Sequence, residues 1–324
     1  MREFDLIERL CAKLPQSRRT ILGVGDDCAI LAAARGRQVV TIDSMVEGVH
    51  FKLAWTTPEA LGARALTVNL SDVAAMGATP TACVINLAIR KGLNAAFFDR
   101  MYVGLRQAAR YAGVDIVGGN ITRADQLSIT ITLLGEVGDR VMRRDRARVG
   151  DAIYVTGTLG DAALGLQILQ SQVRARGATR KFLVDRFLAP TARIEGGKKL
   201  ARLNPAPAAI DLSDGLWQDL GHILNRSGVG AEIEVDAIPL SAAYRAVNAD
   251  NPELALKGGD DYELLFCMPA RVSDAALARR IGVRVTRIGR IVAGKGARLL
   301  DHGRTIGDRS RRLRGWDQLE TTRE

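Results

Sequence analysis

Acidic residues recur beside glycine, serine or asparagine along the whole chain, and this recurrence constrains the fold more than any other feature. The series begins at Gly23-Val24-Gly25-Asp26-Asp27-Cys28. It continues through Asp43-Ser44, Asn69-Leu70-Ser71-Asp72, Asp211-Leu212-Ser213-Asp214-Gly215 and Gly258-Gly259-Asp260-Asp261. Adjacent carboxylates repel each other, so a fold that gathers them must supply a cation or a dipole. A single loop of this kind is explained by turn chemistry or by an N-cap alone. Several of them, each expected at the junction of two elements, point to acids that converge on metal ions carrying phosphates.

The rest of the composition narrows the metal. The three histidines (His50, His222, His302) are too few for a histidine-rich site. The four cysteines (Cys11, Cys28, Cys83, Cys267) form no CxxC pair and read as buried free thiols of a reducing cytoplasm. Oxygen donors remain, and they favour magnesium. His50, beside an acidic loop, is the one histidine to count as a site candidate. His222 reads as structural within a helix, and His302 falls in a polar turn. No Ser-His-Asp or Cys-His set is evident.

At 324 residues the expectation is two domains. Hydrophobic residues at 47% and charged residues at 25% are those of a soluble globular protein. No apolar run reaches the roughly eighteen residues of a membrane span. Met1-Arg2-Glu3-Phe4-Asp5 is not an export signal, so the expected location is cytoplasmic. The net charge of +10 suits small polyanions such as nucleotides. The arginine clusters at 140–148 and 304–314 lack interleaved aromatics, which argues against a nucleic-acid-binding role and for a solvated charged surface.

Ile7, Leu10, Cys11 and Leu14 repeat at helical spacing, limited by Pro15. Strands are expected at 39–43, with Asp43-Ser44 at the end, and at 82–89, 114–117 and 127–133. Helices are expected at 57–77, capped by Thr57 with Pro58 in the first turn, and at 95–111. Asn69, Asp72 and Met76 share one face of the first of these. Polar residues on an Ala/Leu/Val face need partners, either a structural cap or a metal. This is an α+β half, and the boundary falls near 146–150, giving domains 1–146 and 147–324. In the second half a strand at 152–155 enters Thr156-Gly157-Thr158-Leu159-Gly160-Asp161, a strand-to-helix turn whose amides suit an anion. Helices at 181–188, 191–203 and 216–227 and strands at 208–212, 232–235 and 262–267 follow. Asp211 and Ser213 point one way from a strand end, and Asp214 starts a helix.

These pieces together resemble one family over nearly the whole chain. Gly23-Val24-Gly25-Asp26-Asp27-Cys28-Ala29, Val68-Asn69-Leu70-Ser71-Asp72-Val73-Ala74-Ala75-Met76-Gly77-Ala78, Tyr154-Val155-Thr156-Gly157-Thr158-Leu159-Gly160-Asp161, Ile210-Asp211-Leu212-Ser213-Asp214-Gly215-Leu216 and Tyr262-Glu263-Leu264-Leu265-Phe266 are similar to the superfamily of aminoimidazole ribonucleotide synthetase, selenophosphate synthetase and the hydrogenase maturation dehydratase. Glu47-Gly48-Val49-His50-Phe51 and Gly315-Trp316-Asp317 are similar to its thiamine-monophosphate kinase branch.

The resemblance implies an ATP-dependent kinase that makes thiamine diphosphate from thiamine monophosphate, with several magnesium ions. It implies an α+β fold of two domains, an N-terminal half whose sheet pairs into a barrel in a homodimer, and an active-site cleft completed by the C-terminal half. Carried over by position, Asp27, Thr41 (through its backbone), Asp43, Asp72, Asn120, Asp211 and Asp214 match metal ligands. Tyr102, Gly119, Asn120, Arg144 and Ser213 match ATP contacts, and His50, Asp260 and Trp316 match substrate contacts. Two positions depart from the family pattern. Asn120 stands where aspartate is usual and drops a charge, and Asp260 stands where glutamate is usual and is one methylene shorter. The other branches fit less well. Cys11 lies on an apolar helix face, and the chain ends Thr321-Thr322-Arg323-Glu324 without the terminal cysteine of the maturation dehydratase.

Overall fold

A computed structural model describes residues 3–14, 16–25, 27–271, 273–306 and 315. The chain divides into two compact units, one of Met1–Val73 with Ala78–Asp139 and one of Ala74–Gly77 with Arg140–Glu324. Among the described residues no helix is long and apolar enough to cross a membrane. All four cysteines are free. Cys83 and Cys267 are buried as expected, Cys11 is half-buried and Cys28 is exposed.

The first unit runs α1 (Glu3–Cys11), β1 (Thr20–Leu22), β2 (Ile30–Leu31), β3 (Arg37–Val46), α2 (Pro58–Ala75), β4 (Thr79–Ile89), α3 (Ala95–Ala112), β5 (Asp115–Arg123) and β6 (Ser128–Val137). Four strands form one sheet in the order β3-β6-β4-β5. β4 and β5 are parallel, as the crossover through α3 requires. Thr57 caps α2 as read from the sequence, its hydroxyl accepting from the Ala60 N–H at 3.2 Å. α2 and α3 cross at two glycines. A Cβ on Gly62 would stand 2.0 Å from the Met101 carbonyl oxygen, and one on Gly104 would stand 1.8 Å from that of Glu59. Only glycine allows backbones this close.

Two of the expected strand ends move. β3 continues past Asp43 to Val46, and β5 continues through Gly118-Gly119-Asn120 to Arg123, so these acid-and-glycine pieces lie within strands and not at junctions. The strand expected at 114–117 stops before the glycine pair. In the sheet the pair admits a close neighbour, because a Cβ on Gly119 would meet the Ile85 carbonyl oxygen at 2.1 Å beside the irregular pairing at Cys83 and Val84.

The second unit runs β7 (Ala152–Thr156), α4 (Asp161–Leu169), α5 (Gly177–Leu188), α6 (Ile194–Ala201), β8 (Ala208–Asp211), α7 (Leu216–Ser227), β9 (Gly230–Glu234), α8 (Ala242–Asn248), α9 (Glu253–Lys257), β10 (Leu264–Met268), α10 (Asp274–Ile281), β11 (Val285–Val292), β12 (Gly296–Asp301) and β13 (Arg304–Thr305). Its sheet has the order β13-β12-β9-β11-β7-β10-β8. Ile153, Val155, Ile210, Leu220, Ile223 and Leu265 are central to its core. β8 lies at one edge, and its C-terminal end delivers Asp211.

Candidate active site

In the first unit, strand alternation sorts the site residues. Thr41, Asp43 and Met45 of β3 face α2, while Val40, Ile42 and Ser44 face the other way. Asp72 and Asn69, three residues apart on α2, both reach β3. The Thr41 hydroxyl donates to Asp72 Oδ2 at 2.5 Å. Asn69 Oδ1 accepts from the Asp43 N–H at 3.1 Å, and its amide donates to the Ala65 carbonyl at 3.1 Å. Thr41, Asp43 and Asp72 are thus brought together, and buried Asn69 ties the helix to the strand. Asp27 is exposed in the loop between β1 and β2. His50 Nδ1 accepts from the Val46 N–H at 3.0 Å, which leaves Nε2–H as the donor of the neutral ring. Nearby, Arg90 grips Glu47 through Nε at 2.7 Å and a terminal nitrogen at 3.2 Å.

Gly119 and Asn120 lie elsewhere on this sheet. Asn120 pairs in register with Asn86, Asn86 with Thr130, and Thr130 with Ser44, so these four side chains form one row on the face turned away from α2. Asn120 Nδ2 donates to Asn86 Oδ1 at 3.0 Å, and the Ser44 and Thr130 hydroxyls bond at 2.7 Å. β3 and β5 are also opposite edges of the sheet, three strand spacings or roughly 14 Å apart. Tyr102 is buried on α3, where burial pushes its phenol pKa up.

In the second unit, two segments are laced together beyond the end of the β8–β10 pairing. The N–H of Leu212 donates to the Glu263 carbonyl (2.8 Å), that of Tyr262 to the Leu212 carbonyl (2.8 Å), and that of Asp260 to the Ser213 carbonyl (2.9 Å). Asp211, Ser213, Asp214 and Asp260 therefore sit on one backbone frame. The Tyr262 hydroxyl donates to Asp260 Oδ1 at 3.0 Å. Arg144 is exposed, and its carbonyl accepts from Ser227 at the far end of α7, about 18 Å from Asp214 along a twelve-residue helix. Trp316 lies outside the described residues. Gly315 before it is close to the Asp214 loop, since a Cβ there would stand 2.4 Å from the Asp214 carbonyl oxygen.

Sequence reasoning missed Asp219. It sits on the buried stripe of α7 with Leu216, Leu220, Ile223 and Leu224, and an acid on such a stripe was the available signal. Its carboxylate accepts from the N–H groups of Asp214 and Gly215 at 3.1 Å each. Burial, and then the charges of Asp211 and Asp214, push its pKa up to about 8. His222, one turn further along and exposed, offers a nitrogen that lies with Asp214 and Asp219 oxygens inside a 4.8 Å group.

The glycine-rich turn before α4 holds an acid, but that acid belongs to the chain. Asp261 Oδ2 accepts from the Gly160 N–H at 2.7 Å, so the amide expected to meet a ligand is already engaged. Burial pushes the Asp261 carboxyl up to about 8, against the opposing pull of Arg186 and the Gly160 N–H. Glu263 beside it is buried and accepts from Arg193 Nε (2.6 Å), Arg186 (3.1 Å) and the Thr156 hydroxyl (2.7 Å). Gly157, at φ 62°, is required here, because a Cβ would lie 2.1 Å from Glu263 Oε1.

Comparison with known proteins places this chain in a family. The model for the AIR synthase related protein N-terminal domain matches residues 25–137, and that for the C-terminal domain matches 148–302. A thiamine-monophosphate kinase of Aquifex aeolicus is 37% identical over 298 residues, covering 91% of this chain and 92% of that protein. The chain belongs to the thiamine-monophosphate kinase family of AIR synthase related proteins. The thiamine-monophosphate kinase of Stenotrophomonas maltophilia superposes with a TM-score of 0.83 at 39% identity, over 94% of this chain and 98% of that one. AaThiL, complexed with AMPPCP and TMP, superposes with a TM-score of 0.78 at 34% identity, over 97% and 95%.

Proposed function

We infer that this chain transfers the γ-phosphate of ATP to thiamine monophosphate, yielding thiamine diphosphate and ADP. The observation that carries this reading is the backbone lacing that holds the Asp211–Ser213–Asp214 turn against Asp260 in a chain of this family. It ties a pair of metal-type acids to a substrate-type acid.

The donors suit magnesium. They are oxygens throughout, from Asp27, Thr41, Asp43 and Asp72 in the first unit and Asp211 and Asp214 in the second. Burial first, and then the charges of Asp211 and Asp214, raise the carboxyl of Asp219 beside them. When bound, magnesium neutralises phosphate charge and aligns the attacking and leaving oxygens. An ionised oxygen of the substrate phosphate attacks the γ-phosphorus. The bond to the β–γ bridging oxygen breaks, and ADP leaves with its electron pair. The acceptor is already an anion, so no side chain has to serve as a strong base and no phosphoenzyme forms.

Ser213 is assigned to ATP, and His50, Asp260 and Trp316 to thiamine monophosphate. Asp260, a carboxylate among phosphates, suits the cationic or N–H-bearing rings of that substrate. Gly119, Asn120 and Arg144 are assigned to ATP by the family pattern, with Asn120 serving a separate ion. Tyr102, buried on α3, is likewise assigned to ATP by the family pattern.

A homodimer fits the bare face of the first sheet, where Val40 and Ile42 are 68% and 62% exposed. The second copy would cover that face in the paired barrel of the family. The reaction is placed in the cytoplasm, beside its ATP.

The test is a kinase assay on purified protein with a magnesium titration. Thiamine diphosphate is the expected product. If other phosphorylated acceptors turn over and thiamine monophosphate does not, the substrate assignment is wrong.

A further inference from the structure

Asp260 and Tyr262 have φ of 67° and 51°, on either side of Asp261. An L-residue in this region is disfavoured, a bulky aromatic especially so, and it persists only where its surroundings over-determine it. Here they do. The N–H groups of Asp260 and Tyr262 are bound to the Ser213 and Leu212 carbonyls, the Asp261 carboxylate is drawn inward to Gly160, and Glu263 is drawn to Arg186 and Arg193. With both neighbouring acids committed to the interior, the Asp260 and Tyr262 side chains meet, hydroxyl to Oδ1, at 3.0 Å. Tyr262 is 9% exposed, so its ring is fixed and its hydroxyl is a fixed donor, whereas Asp260 is half-buried.

We propose that Tyr262 is a positioning residue for substrate recognition: its hydroxyl holds the Asp260 carboxylate in the rotamer that meets the cationic or N–H-bearing part of thiamine monophosphate. This rests on the reading of Asp260 as a substrate contact. A carboxylate ordered before binding spares the ligand the cost of ordering it. The strained backbone and the hydroxyl do this together, and the short aspartate side chain gives the anchored oxygen little room to follow a misplaced ligand.

The test is steady-state kinetics on the full chain with Tyr262→Phe, Asp260→Asn and the double variant, with thermal melting of each. Asparagine tolerates the left-handed backbone and keeps the acceptor oxygen. Tyr262→Phe is expected to raise KM for thiamine monophosphate about five- to tenfold, with kcat and KM for ATP changed by less than about twofold. On the Asp260→Asn background the same change should add about twofold at most, since the charged contact it serves is gone. If Asp260→Asn raises that KM and Tyr262→Phe leaves it alone, the positioning role is wrong and the Asp260 contact stands. If Asp260→Asn leaves it alone, the contact itself is wrong. Effects that multiply in the double variant, or a Tyr262→Phe chain that does not fold, make Tyr262 a structural residue and overturn the proposal.

Discussion

Asp219 returns its carboxylate to the backbone N–H of Asp214, five residues earlier, at 3.1 Å, and reaches the Gly215 N–H at the same distance. The acid at the start of α7 is therefore held in place by a buried acid one turn inside it. Asp219→Ala leaves two N–H groups without their acceptor, a cost of about 1–3 kcal/mol, which urea denaturation will read. Because the Asp214 loop then loosens, the magnesium concentration for half-maximal turnover should also rise. A stability loss with an unchanged magnesium requirement would separate Asp219 from the metal-binding loop.

Asp72 accepts from Thr41 across the gap between α2 and β3. Asp72→Asn keeps an oxygen acceptor for that hydroxyl and removes the charge. Turnover should fall below detection while the melting temperature stays within a few degrees. Activity near wild type in a folded Asp72→Asn protein would remove α2 from the metal-binding set.

Asp261 carries a pH signature. Its pKa is near 8 in the fold and about 3.9 in an unfolded chain. Between these values the unfolded chain has lost a proton that the folded one keeps. Stability from this group therefore falls as pH rises from about 4 to about 8, by up to about 1.4 kcal/mol per unit. Asp261→Asn removes the titration and keeps an acceptor for the Gly160 N–H. Its stability relative to wild type should improve steadily from pH 5 to pH 8 in urea melts. A flat difference would mean that the folded carboxylate is already ionised across that range.

The sequence carried the second unit's site further than the first unit's. α7 was legible to the residue, from Leu216 to Ser227, because Gly215 and Gly228 bracket an amphipathic run. Asp211, Ser213 and Asp214 followed from their place between strand and helix. The place of Asn120 within a strand did not, since the expected strand ended at Val117, and only the neighbouring strand shows that the paired glycines serve backbone approach within a sheet. Asp261 was read as one more acid of the series that converges on metal ions. Its inward direction depends on Gly160, a hundred residues earlier, and no local pattern encodes that partner. The helices at 242–257 and the strands after 285 went unread for lack of clear punctuation or periodicity.

Glu263 offers a direct measure of the charge network under the site. It is 1% exposed and faces two guanidinium groups and a threonine hydroxyl. Glu263→Gln removes the negative charge and leaves Arg186 and Arg193 side by side in a mostly buried setting. Breaking one partner of such a cluster costs about 3–5 kcal/mol. The urea midpoint should drop accordingly, and restoring charge balance with Arg193→Gln in the same chain should recover part of the loss. Additive losses in the double variant would show that the pairs do not couple.

Asn120 sits across the sheet from the Thr41–Asp43–Asp72 group, on the other face and at the other edge. Within one chain, an ion at Asn120 is therefore a different ion from one held by that group. Asn120→Asp adds a charge beside Asn86, whose amide can turn to donate to it, so the fold should lose less than about 1 kcal/mol. If the position holds an ion, the added carboxylate lowers the magnesium concentration needed for half-maximal turnover. It should do so without restoring activity to Asp72→Asn, because the two changes act on separate ions. An unchanged titration removes Asn120 from the ligand set and leaves its bond to Asn86 as part of a neutral row that helps fix the register of the sheet.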